Sequence, residues 1–404
     1  MLGVWLRVVV GLAVLTLLAS DRVLLVWAGA LAAAWALGGL LLGRVLDGLA
    51  VSQAISSAQP FAGETVTVHV RLTNRSIFPL PWVRLQQTLP RALERRSPRW
   101  FASLPPGGTF HATYRLRAGR RGVYRVGRVA VEAGDWFGLW RRRGRIDVPL
   151  WVTVLPRPLA ELPLVPPPPR LPEGERPDAA SPFPAWEPAG LREYRPGDPL
   201  RAIAWKATAR RGDLVVRLLP PVRDRALMIV LDLRPGRWPA AHRAAWLERA
   251  VSFAAAWIAS GAQRDEPIGM FVSGRAVRHE PEPEPDEEPS VSGPRGPVRL
   301  ALPPRRGPAH RQRLLETLAA LEPDDDPVFD REAQAALRRL AGRTSVIWIA
   351  GTADAASVGL AAAACRGGHA VSLVFAQGAG AAPAAPAPGI RLWPLPPGEG
   401  EAWN

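Results

Sequence analysis

A chain of 404 residues, 48% of them hydrophobic, is longer than one ordinary domain and too apolar for a disordered polymer. Its formal net charge of +15 is carried by arginine, with Lys206 the only lysine; no zinc-finger, helix-turn-helix or RNP pattern accompanies it, so no nucleic-acid partner is expected. A single cysteine, Cys365, excludes an intrachain disulfide.

The chain opens on two apolar runs. Val23–Gly43 is 21 residues without a charge, which at about 1.5 Å per residue matches the hydrocarbon thickness of a bilayer. The shorter run Val8–Ser20 precedes it, and only Asp21 and Arg22 stand between them. This predicts a transmembrane helical hairpin over residues 1–47. Arg7 and Arg44 mark the side of both ends as cytoplasmic, against Arg22 in the turn. The rival reading is a signal peptide cleaved near Ser20, which leaves one span and reverses the orientation.

Residues 50–156 alternate apolar and polar in short runs, among them Glu64–Asn74, Thr109–Arg117 and Val126–Ala133, with turn signals between. Period two of this kind predicts an antiparallel β-sandwich of immunoglobulin type, here without a disulfide. A proline-rich linker is expected over residues 157–189, and a distinctive polar motif over 190–223.

From residue 224 to 378 apolar strands alternate with helices: Ala226–Leu233, then a helix over His242–Ser260, then a strand around Ile268. Helices follow near Arg311–Leu321 and Asp330–Ala341, and strands at Thr344–Gly351 and Ala370–Gln377 with a helix between them. This order predicts a doubly wound α/β domain with a parallel sheet. The proline-rich acidic stretch Glu280–Pro289, within a loop at 279–297, is expected to be extended and solvated, and the Ala/Pro/Gly-rich tail at 379–404 to be flexible.

No pattern for catalysis stands out. Lys206 lacks the glycine spacing of a phosphate-binding loop, and the six histidines form no HExxH set. A nucleophile elbow and paired cysteine zinc spacing are missing as well, so neither an enzyme nor a cofactor is expected. Asp232 ends the first α/β strand, where such sheets bind ligands. A metal-dependent adhesion site needs Asp-x-Ser-x-Ser there, whereas Arg234 and Gly236 occupy the hydroxyl positions. Arg234 places a fixed positive charge where the cation would sit, so the metal site reads as degenerate, with Asp232 alone remaining.

The motif Leu191–Arg217 gathers Arg192, Glu193, Tyr194, Arg195, Gly197, Asp198, Arg201, Trp205, Lys206 and Arg210. Asp198 and Pro199 read as an N-cap and first-turn pair and Gly212 as a C′ residue, which predicts about three helical turns between them. Two roles are open. In a structural clasp Trp205 packs in a core and Glu193 pairs with Arg201 or Lys206; alternatively the same residues form a basic, aromatic surface for a partner or lipid headgroup.

The run Gly190–Arg217 resembles, nearly end to end, the signature of the bacterial family catalogued as domain of unknown function 58, MoxR-associated membrane proteins. Arg120–Trp140 and the strand ending at Asp232 resemble further family regions. Ala204 stands where the family often has Asp, and Arg234 and Gly236 depart from its fuller metal pattern. The resemblance implies a fold of transmembrane hairpin, β-sandwich and C-terminal von Willebrand A-like α/β domain. It also implies a MoxR-type AAA+ ATPase as partner. The expectation is a non-enzymatic scaffold in the bacterial inner membrane, in contact with its lipid, with two spans and cytoplasmic domains, serving assembly or maturation of envelope complexes. An unrecognised envelope hydrolase or transferase, or an anionic-lipid-binding membrane protein, is the alternative.

Overall fold

A computed structural model of the chain describes residues 10–11, 14, 22–90, 93, 97–135, 140–148, 150–160, 162, 190–194, 203–218, 226–279, 297–340, 344–376 and 389–396. Two compact units are present: one comprises residues 1–159, 274–298 and 312–324, the other 160–273, 299–311 and 325–404.

The first unit begins with helix α1 (Arg22–Asp47). Nine strands follow: β1 (Leu49–Ile55), β2 (Thr65–Asn74), β3 (Leu80–Thr88), β4 (Arg99–Leu104), β5 (Thr109–Arg117), β6 (Gly122–Arg125), β7 (Arg128–Gly134), β8 (Arg141–Asp147) and β9 (Trp151–Val154). They make an antiparallel sheet of order β1-β2-β5 and another of order β4-β3-β7-β8. Side chains alternate as the period-two runs require, so Val66, Val68 and Val70 of β2 and Leu80, Val83 and Leu85 of β3 are buried. Trp100 of β4 meets Tyr114 of β5 with ring centroids 5.7 Å apart.

A third small sheet joins β6 and β9 to a short strand, β14 (Arg278–His279), that comes from much later in the chain. His279 stacks on Tyr124 at 4.7 Å. The Arg121 side chain is buried and donates to the carbonyl oxygens of Leu318 and Leu321, at 3.0 and 3.2 Å. These acceptors lie at the end of helix α4 (Pro308–Ala320) and in strand β16 (Leu321–Glu322).

The two-span transmembrane hairpin expected over residues 1–47 is overturned: among the described residues no helix is long and apolar enough to cross a membrane. The last turns of α1 are spent on protein packing instead. Leu42 and Val45 are buried in a cluster with Leu49, Leu72, Leu80 and Val83. Trp140 donates from Nε1 to the Trp35 carbonyl oxygen at 2.7 Å. The first apolar run, including the cleavage point considered near Ser20, falls almost wholly outside the described residues.

The second unit opens with β10 (Gly190–Glu193), helix α2 (Trp205–Arg211) and β11 (Val215–Leu218). Its main sheet contains β12 (Ala226–Leu231), β13 (Ile268–Ala276), β15 (Val298–Arg305), β17 (Thr344–Ala350), β18 (Ala370–Ala376) and β19 (Ile390–Leu395). The order is β15-β13-β12-β17-β18-β19, and the pairs β12/β13, β12/β17, β17/β18 and β18/β19 are parallel. Helices α3 (Arg243–Arg264), α5 (Phe329–Arg338) and α6 (Ala355–Arg366) supply the crossovers a parallel sheet requires. Met228 and Val230 of β12 pack with Phe329, Ala333 and Ala361 from α5 and α6. The intervening Ile229 and Leu231 are fully buried on the opposite face.

The tail departs from expectation. Ile390–Leu395 is a strand in register with β18, where a flexible segment had been expected. The linker from 163 to 189 and the acidic stretch 280–289 lie outside the described residues.

Candidate functional site

Two places concentrate polar chemistry in the second unit, one at the carboxyl ends of the parallel strands and one in the motif around α2. At the strand ends, Asp232 follows β12 and is 2% exposed. The next turn carries Arg234, whose guanidinium lies on the Asp232 carboxylate: Nε donates to Oδ1 at 3.0 Å and a terminal nitrogen donates to Oδ2 at 2.7 Å. The Arg234 backbone N–H also donates to Asp232 Oδ1 at 3.0 Å.

The other terminal contact of Arg234 is Asp330 Oδ1 at 2.6 Å, in the first turn of α5. Its planar face sits 4.7 Å over the Phe329 ring. Burial pushes the Arg234 pKa down, but the hydrogen bonds and charges of Asp232 and Asp330 more than reverse this, so the group is held firmly cationic.

Arg237 extends the network. It pairs with Asp354, the N-cap of α6, and approaches Asp330 Oδ2 at 3.7 Å. Asp354 Oδ1 accepts from the Ser357 N–H at 2.8 Å. Burial raises the Asp354 pKa, and the Ser357 bonds and Arg237 outweigh it, leaving the carboxyl below its ordinary range. Gly351 permits this arrangement, because a Cβ there would strike the Arg237 carbonyl oxygen and Trp238.

Three carboxylates thus converge where an α/β sheet commonly holds a ligand, and two guanidiniums of the same chain bind them. The fixed charge expected at Arg234 is where the sequence placed it. Asp330, Asp354 and Arg237 were not singled out from the sequence. The available signal was an acidic residue at the start of α5 and of α6, with Ser357 three residues after Asp354.

The motif has a different geometry. Strands β10 and β11 pair antiparallel, Gly190 opposite Leu218 and Glu193 opposite Val215. Tyr194 N–H donates to the Leu214 carbonyl at 2.9 Å. Helix α2 begins at Trp205, later than the expected Asp198–Pro199 start. Ile203 bridges to Val216 and the Ala204 N–H donates to the Val215 carbonyl at 2.8 Å, so both residues are committed to strand pairing.

The helix ends as expected at Gly212, with φ at 82° and its N–H on the Thr208 carbonyl at 2.9 Å. Thr208 Oγ1 accepts from the Val215 N–H at 3.1 Å and ties helix to strand.

The packing role expected of Trp205 in a clasp falls to other residues. Ile203, Val215 and Val216 fill the buried positions, while Trp205 is 63% exposed. Lys206 and Arg210 are exposed beside it, and Lys206 makes no ion pair among the described residues. Glu193 is exposed and Tyr194 half-buried. Arg192 is described by its backbone, which pairs with Val216. Arg195, Gly197, Asp198 and Arg201 lie outside the described residues.

A family model described as protein of unknown function DUF58 matches residues 190–288. The uncharacterized protein YeaD of Bacillus subtilis (strain 168) is 26% identical over 212 residues, which cover 48% of this chain and 50% of that protein. The chain therefore spans about half the length of this relative. Among solved structures, a CARDB domain from Pyrococcus furiosus is 14% identical over 26% of this chain and 91% of that one, with a TM-score of 0.20. The C-terminal domain of wzt is 12% identical over 26% and 73%, with a TM-score of 0.21. Both likenesses are too low to bear on function. The segment 190–288, which holds α2 and the Asp232–Arg234 pair, is therefore the part of the chain that is similar to the DUF58 family.

Proposed function

We propose that the chain is a non-enzymatic scaffold that binds a protein partner through the face of α2 carrying Trp205, Lys206 and Arg210. The exposure of Trp205 on a helix fixed by Thr208 and Gly212 carries this reading. A rigid exposed tryptophan flanked by cations has the composition of a binding hot spot. Supporting it, the carboxylates at the strand ends are already bound by the chain's own arginines. The partner proposed from the family resemblance is a MoxR-type AAA+ ATPase, and the proposed workplace is the cytoplasmic face of the bacterial inner membrane.

Retention of the purified ATPase by the immobilised full chain, with and without ATP, tests this. Wild type is expected to retain it, and Trp205→Ala to bind about thirtyfold more weakly with an unchanged thermal unfolding curve. Absence of retention by wild type in both nucleotide states sinks the proposal.

A further inference from the structure

The solvent face of the β4-β3-β7-β8 sheet is cationic. Strand register places Phe101, Arg84, Glu132 and Arg143 in one row across the four strands. Arg99, Gln86, Ala130 and Arg145 form the next row. Trp82, Gly134 and Arg141 form a third, with the Arg141 guanidinium 5.8 Å from the Trp82 ring centroid.

Thr88, Arg128 and Asp147 form a fourth row, so six arginines share this face with two carboxylates: Glu132, which Arg84 and Arg143 pair, and Asp147, which Arg125 pairs. Arg143 nonetheless keeps a side chain 82% exposed, and Phe101 stands out at 69%. A guard against edge-to-edge aggregation accounts for arginines on the edge strand β8. It accounts equally for Arg99 on β4, the other edge strand, but not for Arg84 on the inner strand β3 or for an exposed phenylalanine among them.

The same unit carries an exposed apolar surface on α1, formed by Val23, Val26, Trp27, Leu37 and Leu40. This helix is joined to the start of β8: Trp35 and Trp140 have ring centroids 4.6 Å apart, and the Arg142 guanidinium lies against Gly43. Guanidiniums beside apolar and aromatic side chains match an interface of phosphate headgroups over acyl chains.

We infer that this sheet face, together with the exposed side of α1, is a docking surface for anionic phospholipid, with α1 lying along the lipid surface. The surface belongs to the first unit and does not depend on the protein partner proposed above.

The test is co-sedimentation of the full chain with phosphatidylcholine vesicles, with and without phosphatidylglycerol. Binding is expected only with the anionic lipid, and it should weaken as salt is raised. Arg99→Gln with Arg143→Gln should weaken it about thirtyfold, from roughly fivefold per arginine near an anionic surface. The unfolding curve should not change, since both side chains are exposed.

Arg115→Gln with Arg117→Gln removes equal charge from exposed positions on β5 in the other sheet, and should change binding less than threefold. An equal loss from that pair overturns the assignment of the face. Equal binding to vesicles of phosphatidylcholine alone, or tighter binding to a single-stranded oligonucleotide, overturns the lipid.

Discussion

Arg234 is held on four sides: Asp232 and Asp330 take its nitrogens, Phe329 takes its face, and its own backbone N–H is fixed on Asp232. Asp232 is the most deeply buried member, and that guanidinium is its charged partner. Removing one partner of a buried pair costs more than the pair contributes, because the survivor keeps its desolvation penalty. Arg234→Ala is expected to destabilise the chain by about 3 kcal/mol, read as a lower midpoint in urea. Adding Asp232→Asn should recover part of the loss; a double variant no more stable than the single one would mean that Asp232 is not the group left exposed to the penalty. The sequence made Arg234 legible because one residue type stood where a hydroxyl was wanted. It hid Asp330 and Asp354, which lie 96 and more residues downstream, because convergence of that range is made by the sheet order and not by local spacing.

Helix α6 shows what one cap contributes to an element. Asp354 accepts from the Ser357 N–H and pairs with Arg237, so its carboxyl is depressed in the folded chain. A depressed carboxyl gives stability that is present above its unfolded value and lost as pH falls through the folded one, below about pH 4. Asp326 acts with the same sign: burial raises its pKa, and hydrogen bonds from Arg299 and Val328 bring it below the ordinary range. Wild type is therefore expected to lose thermal stability steeply below about pH 4, and Asp354→Asn to lose it less steeply. Identical slopes would show that the cap carries no pH dependence. Element type was easily read where periodicity was strong, as in β2, β5, β12 and α3. It misled in α2, where Pro199 and Asp198 have the chemistry of a helix start while Ile203 and Ala204 are claimed by β11. It misled again in β19, whose apolar positions are set among prolines and glycines and make a strand only because β18 offers an edge.

Across the whole molecule, antiparallel strands first and alternating strands and helices second were legible, since the hydrophobic period changes near residue 224. The composition of the two units was not, because residues 274–298 and 312–324 carry no signal that they belong with the first. Their contribution is concrete: β14 pairs with β6, and the Leu318 and Leu321 carbonyls accept from buried Arg121. A fragment of residues 1–159 takes the Leu318 and Leu321 acceptors from that guanidinium, at a cost of about 1–3 kcal/mol, and removes the strand beside β6. It is expected to melt well below the full chain and to exchange the amide protons of β6 and β9 quickly; a fragment as stable as the full chain would show that the late segments are dispensable.

The late arrival of β14 and β16 also bears on synthesis. A ribosome delivers the chain from the N-terminus, and the strand that completes the β6 sheet lies beyond β12, α3 and β13. The unit that is read first is therefore among the last parts to be finished. During the interval, the edge of β6 and the Arg121 side chain await residues that have yet to emerge, and a truncated product cut anywhere before residue 322 leaves both units incomplete.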